Sequence, residues 1–322
     1  MTSENSILGN PQSDDTTDAE SSLVEDSPST AGLLNTMSIK PRRFRIDYES
    51  QAQPDVANKW VNGDAFLTHW MNAYTIIIPE GEKFIVRTVK PFIEQIKSAE
   101  LKSQVSGLVA QELSHSKAHA KFSAVIERQG FNTSLFSSIY KFFAYKIMEP
   151  LSPPLMCLAI VVAIERINEL IAEITLQSKV LDSAPEHVAT LYKWHFAEEI
   201  EHKSVAYDLY HEMSGNKWLL GYGTFLCYLT NCVFLCLGAL QFSIQDGSIL
   251  NPKTWLRGLR YFFTKEKFLW RITKGCYQLI KADFHPSHSN NLYLAEPILV
   301  GRDIGAEKAI GRPQQGTLTS VK

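Results

Sequence analysis

Phe66, His69, Trp70, Ala73 and Tyr74 recur at three-four spacing, which predicts an amphipathic helix from about Ala65. Pro79 and Gly81 are expected to interrupt it. Glu82 then opens the next turn, and Phe84, Ile85, Val89, Phe92, Ile93 and Ile96 continue a helical face, with a kink at Pro91. A second helix is predicted from about Glu100 to Gln129, closed by Gly130 at a C-cap position. Phe131 to Pro154 connect it to a third, from about Leu155 to Leu181. A fourth begins after Pro185 and reaches about Met213, with Gly215 as its stop. The pattern is that of an all-α protein.

The polar positions inside these helices carry the candidate chemistry. Glu112 and His115, and again Glu199 and His202, stand three residues apart, so each pair shares a helix face. A lone carboxylate precedes each pair, Glu82 and Glu165, at similar distances. One Glu-x-x-His is a chance match; two, in the order Glu, Glu-x-x-His, Glu, Glu-x-x-His, give the ligand order of a dinuclear site in a four-helix bundle. Glu82, Glu112, His115, Glu165, Glu199 and His202 are therefore the expected metal ligands. Glu165 follows the apolar run Leu158 to Ile164, where a buried carboxylate needs a partner or a metal. The long 131–154 connection fits the single crossover of ferritin-like bundles. It makes the second and fourth helices antiparallel, so His119 and His195, each one turn beyond a pair, should meet at one end of the site. There they would add ligands or act as catalytic proton carriers. Glu198 rivals Glu199, Glu169 and Glu173 rival Glu165, and Glu201 and Asp208 are candidate partners for an imidazole. Carboxylate and imidazole donors suit two divalent ions of iron, manganese or zinc, and the spacing chooses none of them.

Beyond the bundle, residues 218 to 245 carry no charge, a run long enough to cross a membrane. Lys253 to Lys281 is basic and aromatic, as in a helix lying in a lipid interface. The expected organisation is an acidic, Ser/Thr-rich disordered tail over 1–38, a metal-binding bundle over 39–216, a membrane-associated region over 217–284, and a loop and tail over 285–322. The patch Lys40, Arg42, Arg43, Arg45 would seat on an acidic face of the bundle or on anionic lipid. A net charge of −2 and the lack of a basic, aromatic stripe give no case for nucleic acid. The five cysteines form no Cys-x-x-Cys, and no secretory signal is expected at the N-terminus. Basic residues after the apolar run outnumber those before it. An interfacial or re-entrant anchor would keep the bundle on the cytoplasmic side.

Several stretches carry a family resemblance: Arg42-Arg43-Phe44, Pro79-Glu-Gly-Glu82-Lys-Phe84, Gln111-Glu-Leu-Ser-His115-Ser-Lys-Ala-His119, Trp194-His-Phe-Ala-Glu-Glu-Ile-Glu-His202-Lys and Asp283-Phe-His-Pro286. On these the chain resembles a bacterial family of predicted metal-dependent hydrolases over about residues 40 to 287. It departs in the third helix, where Arg166 follows Glu165 in place of the family's histidine. The resemblance implies a metal-dependent hydrolase. The ligand set is also similar to that of di-iron carboxylate proteins, which puts iron first and implies, as alternatives, a di-iron oxygenase or oxidase acting on an apolar substrate, or an iron-binding, ferroxidase-type protein. The partners expected are membrane lipid and a small apolar molecule, with a homodimer also open.

Overall fold

The computed structural model describes residues 39–42, 44–46, 48 and 56–300, and among these there is helix and no strand. The acidic N-terminal tail and the last part of the C-terminal tail lie outside the described residues. Four elements form the centre: α1 (Ala65–Val89), α2 (Ala99–Arg128), α4 (Pro154–Ser178) and the pair α5 (Glu186–Glu201) and α6 (Val205–Met213). The short helix α3 (Ser134–Phe142), a π-helical turn (Phe143–Met148) and a final turn (Glu149–Leu151) make the connection between α2 and α4.

Local chemistry sets the ends. Asp64 and Ser98 cap α1 and α2 by accepting from Leu67 N–H and Leu101 N–H. Gly130 at φ +92° and Gly215 at φ +63° supply the left-handed backbone that stops α2 and α6. Two expectations need correction. α1 runs unbroken through Pro79 and Gly81, because buried Ile76, Ile77 and Ile78 on one side and Ile85, Val86 and Val89 on the other hold both halves in the core. The Ser116 hydroxyl also donates to the Pro79 carbonyl at 3.1 Å. The fourth helix, expected to be continuous, breaks at His202, whose backbone leaves the helical region (φ −101°, ψ 13°) before α6 begins. At Pro91 the chain leaves α1 for a 3₁₀ turn, Lys90–Gln95.

The apolar core falls into two clusters. One holds Trp70, Ile78, Phe122, Ile167, Trp194 and Ile200. The other holds Ile85, Val105, Leu108, Leu158, Val162 and Val205. α1 and the α5–α6 pair pass from the first to the second; α2 and α4 pass from the second to the first. The helices thus run up, down, down, up. The residues at each crossing are Glu82, Glu112, Glu165 and Glu199, so one polar layer divides the core.

The uncharged stretch is α7 (Lys217–Gln245), the one described helix long and apolar enough to cross a membrane. It lies along α1 and α4. Gly223 packs tightly on Ala159, and Gly238 meets Ala73 and Phe136 so closely that a Cβ there would collide. Its outer face is an exposed apolar stripe: Trp218, Tyr222, Phe225, Leu229, Val233, Leu237, Leu240 and Ile244. The basic aromatic segment folds as α8 (Pro252–Arg260), a π-helical turn (Tyr261–Lys265) and α9 (Phe268–Gln278). Part of the expected C-terminal loop is helical, α10 (Leu292–Leu299), because buried Asn291 donates to Glu169 and Glu173 at 3.0 Å each and accepts from Lys203.

A side chain at Gly238 tests the seating of α7. A Cβ there would stand 2.5 Å from the Ala73 Cβ. Gly238→Val should destabilise the protein by about 1–3 kcal/mol through overpacking, outweighing the few tenths gained in helix propensity. Chemical denaturation of the two proteins checks this, and equal midpoints would contradict it.

Candidate metal centre

The crossing layer brings Glu82 from α1, Glu112 and His115 from α2, Glu165 from α4, and His195, Glu199 and His202 from α5 and its end into one buried cluster. Two overlapping sets of donors could each hold a metal ion: Glu82, His115, His195 and Glu199, and Glu112, His115, Glu199 and His202. Within each set the donor atoms lie within 4.8 Å of one another. That is close to the ~4 Å separating ligands on opposite sides of an ion with bonds of about 2.1 Å.

Each side chain is aimed by what stands behind it. His115 shares a 2.8 Å hydrogen bond between Nε2 and Glu198 Oε2, leaving Nδ1 facing Glu82 and Glu199 at 3.8 and 3.9 Å. Glu198 in turn accepts from Arg42 at 3.1 Å, and Arg42 spans Glu201 with bonds of 2.7 and 2.8 Å. The basic patch therefore reaches the bundle's acidic face through Arg42. Trp194 packs edge-on to the His115 ring at 4.7 Å, and the His195 ring stacks on it at 4.4 Å.

His195 puts Nε2 2.8 Å from Glu199 Oε1, while its Nδ1 bonds His119 Nε2 at 2.9 Å. His119 Nδ1 lies 3.3 Å from the Thr75 hydroxyl, which bonds Tyr192, and the Tyr192 hydroxyl donates to the Met71 carbonyl at 2.9 Å. His119, Thr75 and Tyr192 are all inaccessible to solvent. This chain of bonds ends on a backbone carbonyl, so it orients the His195 ring and fixes its tautomer. His119 belongs to neither donor set. The two histidines do meet at one end of the cluster, His195 as a donor and His119 behind it.

His202 Nε2 faces Glu112 Oε1 at 3.3 Å and Glu199 Oε2 at 4.0 Å, and its Nδ1 bonds Glu165 Oε2 at 2.8 Å. Glu165, expected as a ligand, stands outside both donor sets as the partner of His202, with its other oxygen unpaired. Glu199 is at the centre and Glu198 behind His115. Glu201 holds Arg42 and Gln111 instead of an imidazole. Asp208 holds His285 at the surface. Glu169 and Glu173 turn to Arg166, Arg271 and Asn291. The supporting Thr75 and Tyr192 left no mark in the sequence, because a buried hydroxyl has no period of its own.

The donor chemistry fits a metal. Both oxygens of Glu82, Glu112 and Glu199, with His115 Nδ1, His195 Nε2 and His202 Nε2, are buried without a hydrogen-bond partner. Such groups cost about 1–3 kcal/mol each when left unsatisfied. Burial, reinforced by neighbouring carboxylates, raises Glu82 and Glu112 well above the usual carboxylate range. Burial also raises Glu198 to about 7, against the pull of Arg42. It would raise Glu199 too, but the His195 imidazole 2.8 Å away and the charge of His202 override it and hold Glu199 low. Burial and the nearby His195 keep the His115 ring neutral, as a metal ligand must be.

Residues 40–290 match the model of a family described as predicted metal-dependent hydrolase, and the chain belongs to that family. No curated protein and no solved structure matches it.

The raised carboxyls fix a pH dependence. A carboxyl whose folded-state pKa lies above its unfolded value stabilises the fold below the unfolded pKa and loses that contribution as pH rises through the folded one. Glu82 and Glu112 must also shed their protons to bind an ion. Excess Mn(II) should therefore raise the melting temperature more at about pH 8 than at about pH 6. Thermal denaturation with and without the metal checks this; a larger gain at the lower pH would contradict it.

Proposed function

We propose that this chain is a membrane-associated enzyme whose dinuclear metal centre hydrolyses a small apolar substrate. The overlap of the two donor sets at His115 and Glu199 carries the reading. Glu199 offers Oε1 to the side of His195 and Oε2 to the side of His202, the arrangement of a bridging carboxylate. Two divalent ions bound there would supply Lewis acidity and lower the pKa of a water. Carboxylates and imidazoles suit iron, manganese and zinc alike, and the likeness of the donor set to that of di-iron carboxylate proteins puts iron first. His195 serves as a donor and His119 as the group that holds it. Trp194 and Phe196, both inaccessible, help to exclude bulk water from the layer.

A second reading, oxidation of an apolar substrate by oxygen at a di-iron centre, is favoured by one observation. Glu82 lines an apolar cavity whose other walls include Ile78, Tyr140 and Ile164. Elemental analysis of anaerobically purified protein, beside the Glu112→Ala/Glu199→Ala variant, tests both. About two ions per chain, lost in the variant, is the expected result. Iron with protein-dependent oxygen uptake selects oxidation, and ester or amide cleavage selects hydrolysis. No metal after reconstitution would overturn both.

The surface supports a lipid contact. α7 lies along the bundle instead of standing off it, and only a third of its apolar window, 33%, is buried. Its outer stripe is joined by exposed Leu135, Ile139 and Phe142 from α3 and by Leu256, Leu259, Phe263 and Trp270 beyond it. Lys253, Arg257, Arg260, Lys265, Lys267 and Lys274 flank that surface with positive charge. An apolar face with a basic border suits a helix lying in the plane of an anionic leaflet, with the bundle on the cytoplasmic side. Flotation with vesicles should show binding that rises with anionic lipid and falls in the triple variant Phe225→Glu/Leu229→Glu/Val233→Glu. Unchanged flotation of that variant would refute the contact.

A further inference from the structure

α7 roofs the groove between α1 and α4, and two cavities lie beneath it. The inner, of about 100 Å³, has Glu82 in its wall together with Ile78, Phe84, Tyr140 and Ile164. The outer, of about 390 Å³, runs between Trp70, Ile171, Leu235, Phe262 and Ile272. The larger volume alone falls within the ~300–1,000 Å³ of ligand pockets. Asn231 lines both cavities. Moving from the inner to the outer, the α1 wall passes from Glu82 back to Phe66 and the α4 wall from Ile160 on to Ile171. The two cavities follow one another along α1 and α4. The polar groups between them are engaged with protein: Tyr74 donates to Asn168 at 3.1 Å, and Asn231 donates to the Cys227 carbonyl at 3.0 Å.

Two π-helical turns shape the walls. Phe143–Met148 contributes Phe143, Ala144 and Met148 to the inner cavity, and Tyr261–Lys265 contributes Phe262 and Phe263 to the outer. Such turns are rare and concentrate at functional sites. The outer cavity's wall includes exposed Leu259 and Phe263, which belong to the proposed lipid face. One end of the groove therefore lies near lipid, and the other ends on a buried carboxylate of the donor layer.

We infer that this groove takes the hydrocarbon tail of a single-chain amphiphile, whose polar head then lies at Glu82 beside the metal centre. An apolar groove that ends at unpaired metal donors matches a molecule with one long apolar end and one reactive polar end. The inference rests on the metal-centre reading for the fate of the head, and not for the seat of the tail.

Photo-crosslinking of the full chain in nanodiscs tests it. The probes are two palmitates carrying a diazirine, one at the chain end and one next to the carboxyl, with adducts mapped by peptide mass spectrometry. The chain-end probe should label outer-cavity residues such as Leu235 and Phe262, and the carboxyl-end probe should label the α1 segment around Glu82 or Tyr140. Cys232→Trp, which fills the outer cavity from α7, and independently Ile171→Trp, which fills it from α4, should cut the outer labelling about tenfold or more. Metal content and helical circular dichroism, unchanged in at least one of the two, establish that the fold persists. Adducts confined to exposed Phe225, Leu229 and Val233, or labelling that a folded variant leaves intact, would overturn the inference. The Glu112→Ala/Glu199→Ala protein should keep the outer labelling. A wild type without metal but with this labelling would sink the metal reading and leave the tail groove standing.

Discussion

Every other feature of this protein is arranged around one constraint: a layer of carboxylates and imidazoles buried in the middle of an apolar bundle. Glu82, Glu112, Glu165, Glu199, His115, His195 and His202 are each at most 2% exposed. Charges in such a place are tolerated only when paired or bound to a metal. Some pair with each other, as His202 does with Glu165. The remainder present unpaired atoms to one another across the centre. The two apolar clusters on either side hold this layer at fixed separation, because neither can move without opening its own packing. The up, down, down, up course of the helices is what lets each contribute a carboxylate at the same height.

Around the donors stands a set of groups that decide orientation. Arg42 holds Glu198, and Glu198 holds His115. Tyr192 and Thr75 hold His119, and His119 holds His195. Each histidine therefore has one ring nitrogen committed to protein and the other turned to the centre, which is how a protein selects a tautomer for a metal. The break of the fourth helix at His202 belongs to the same logic. The residue ends α5 with its ring between Glu112 and Glu165, contributed by two different helices.

How much of this could be read from the chain depends on periodicity. Glu112 with His115, and Glu199 with His202, announce themselves because a helix repeats its face every three to four residues. The meeting of His119 with His195 followed from that spacing and the antiparallel course alone. The continuity of α1 through Pro79 was not legible, because its support comes from Ser116 and from packing on both sides, not from neighbours in sequence. The roles of Glu165 and Glu198 were likewise hidden. Adjacent carboxylates point in different directions, and only the fold decides which one reaches the centre and which one a histidine. The C-terminal turn at Asn291 depends on Glu169, Glu173 and Lys203, all remote in sequence.

α7 carries two demands that a single composition satisfies. Its inner face must approach α1 and α4 closely, so Gly223 stands where a side chain would be tight and Gly238 where one would collide. Its outer face is as apolar as its inner one, and a water-soluble bundle gains nothing from an exposed row of Trp218, Tyr222, Phe225 and Leu229. Were α7 to stand across a bilayer, α1 and α4, packed along it, would be carried into the hydrocarbon with the polar layer they hold. Lying in the leaflet plane, as proposed, the same helix would keep its outer stripe in lipid and its inner face on the bundle. That orientation would also leave the groove beneath it alongside the membrane, with Glu82 in the wall of its inner cavity. On the proposed reading, the lipid face and the donor layer would stand at opposite ends of the space beneath α7.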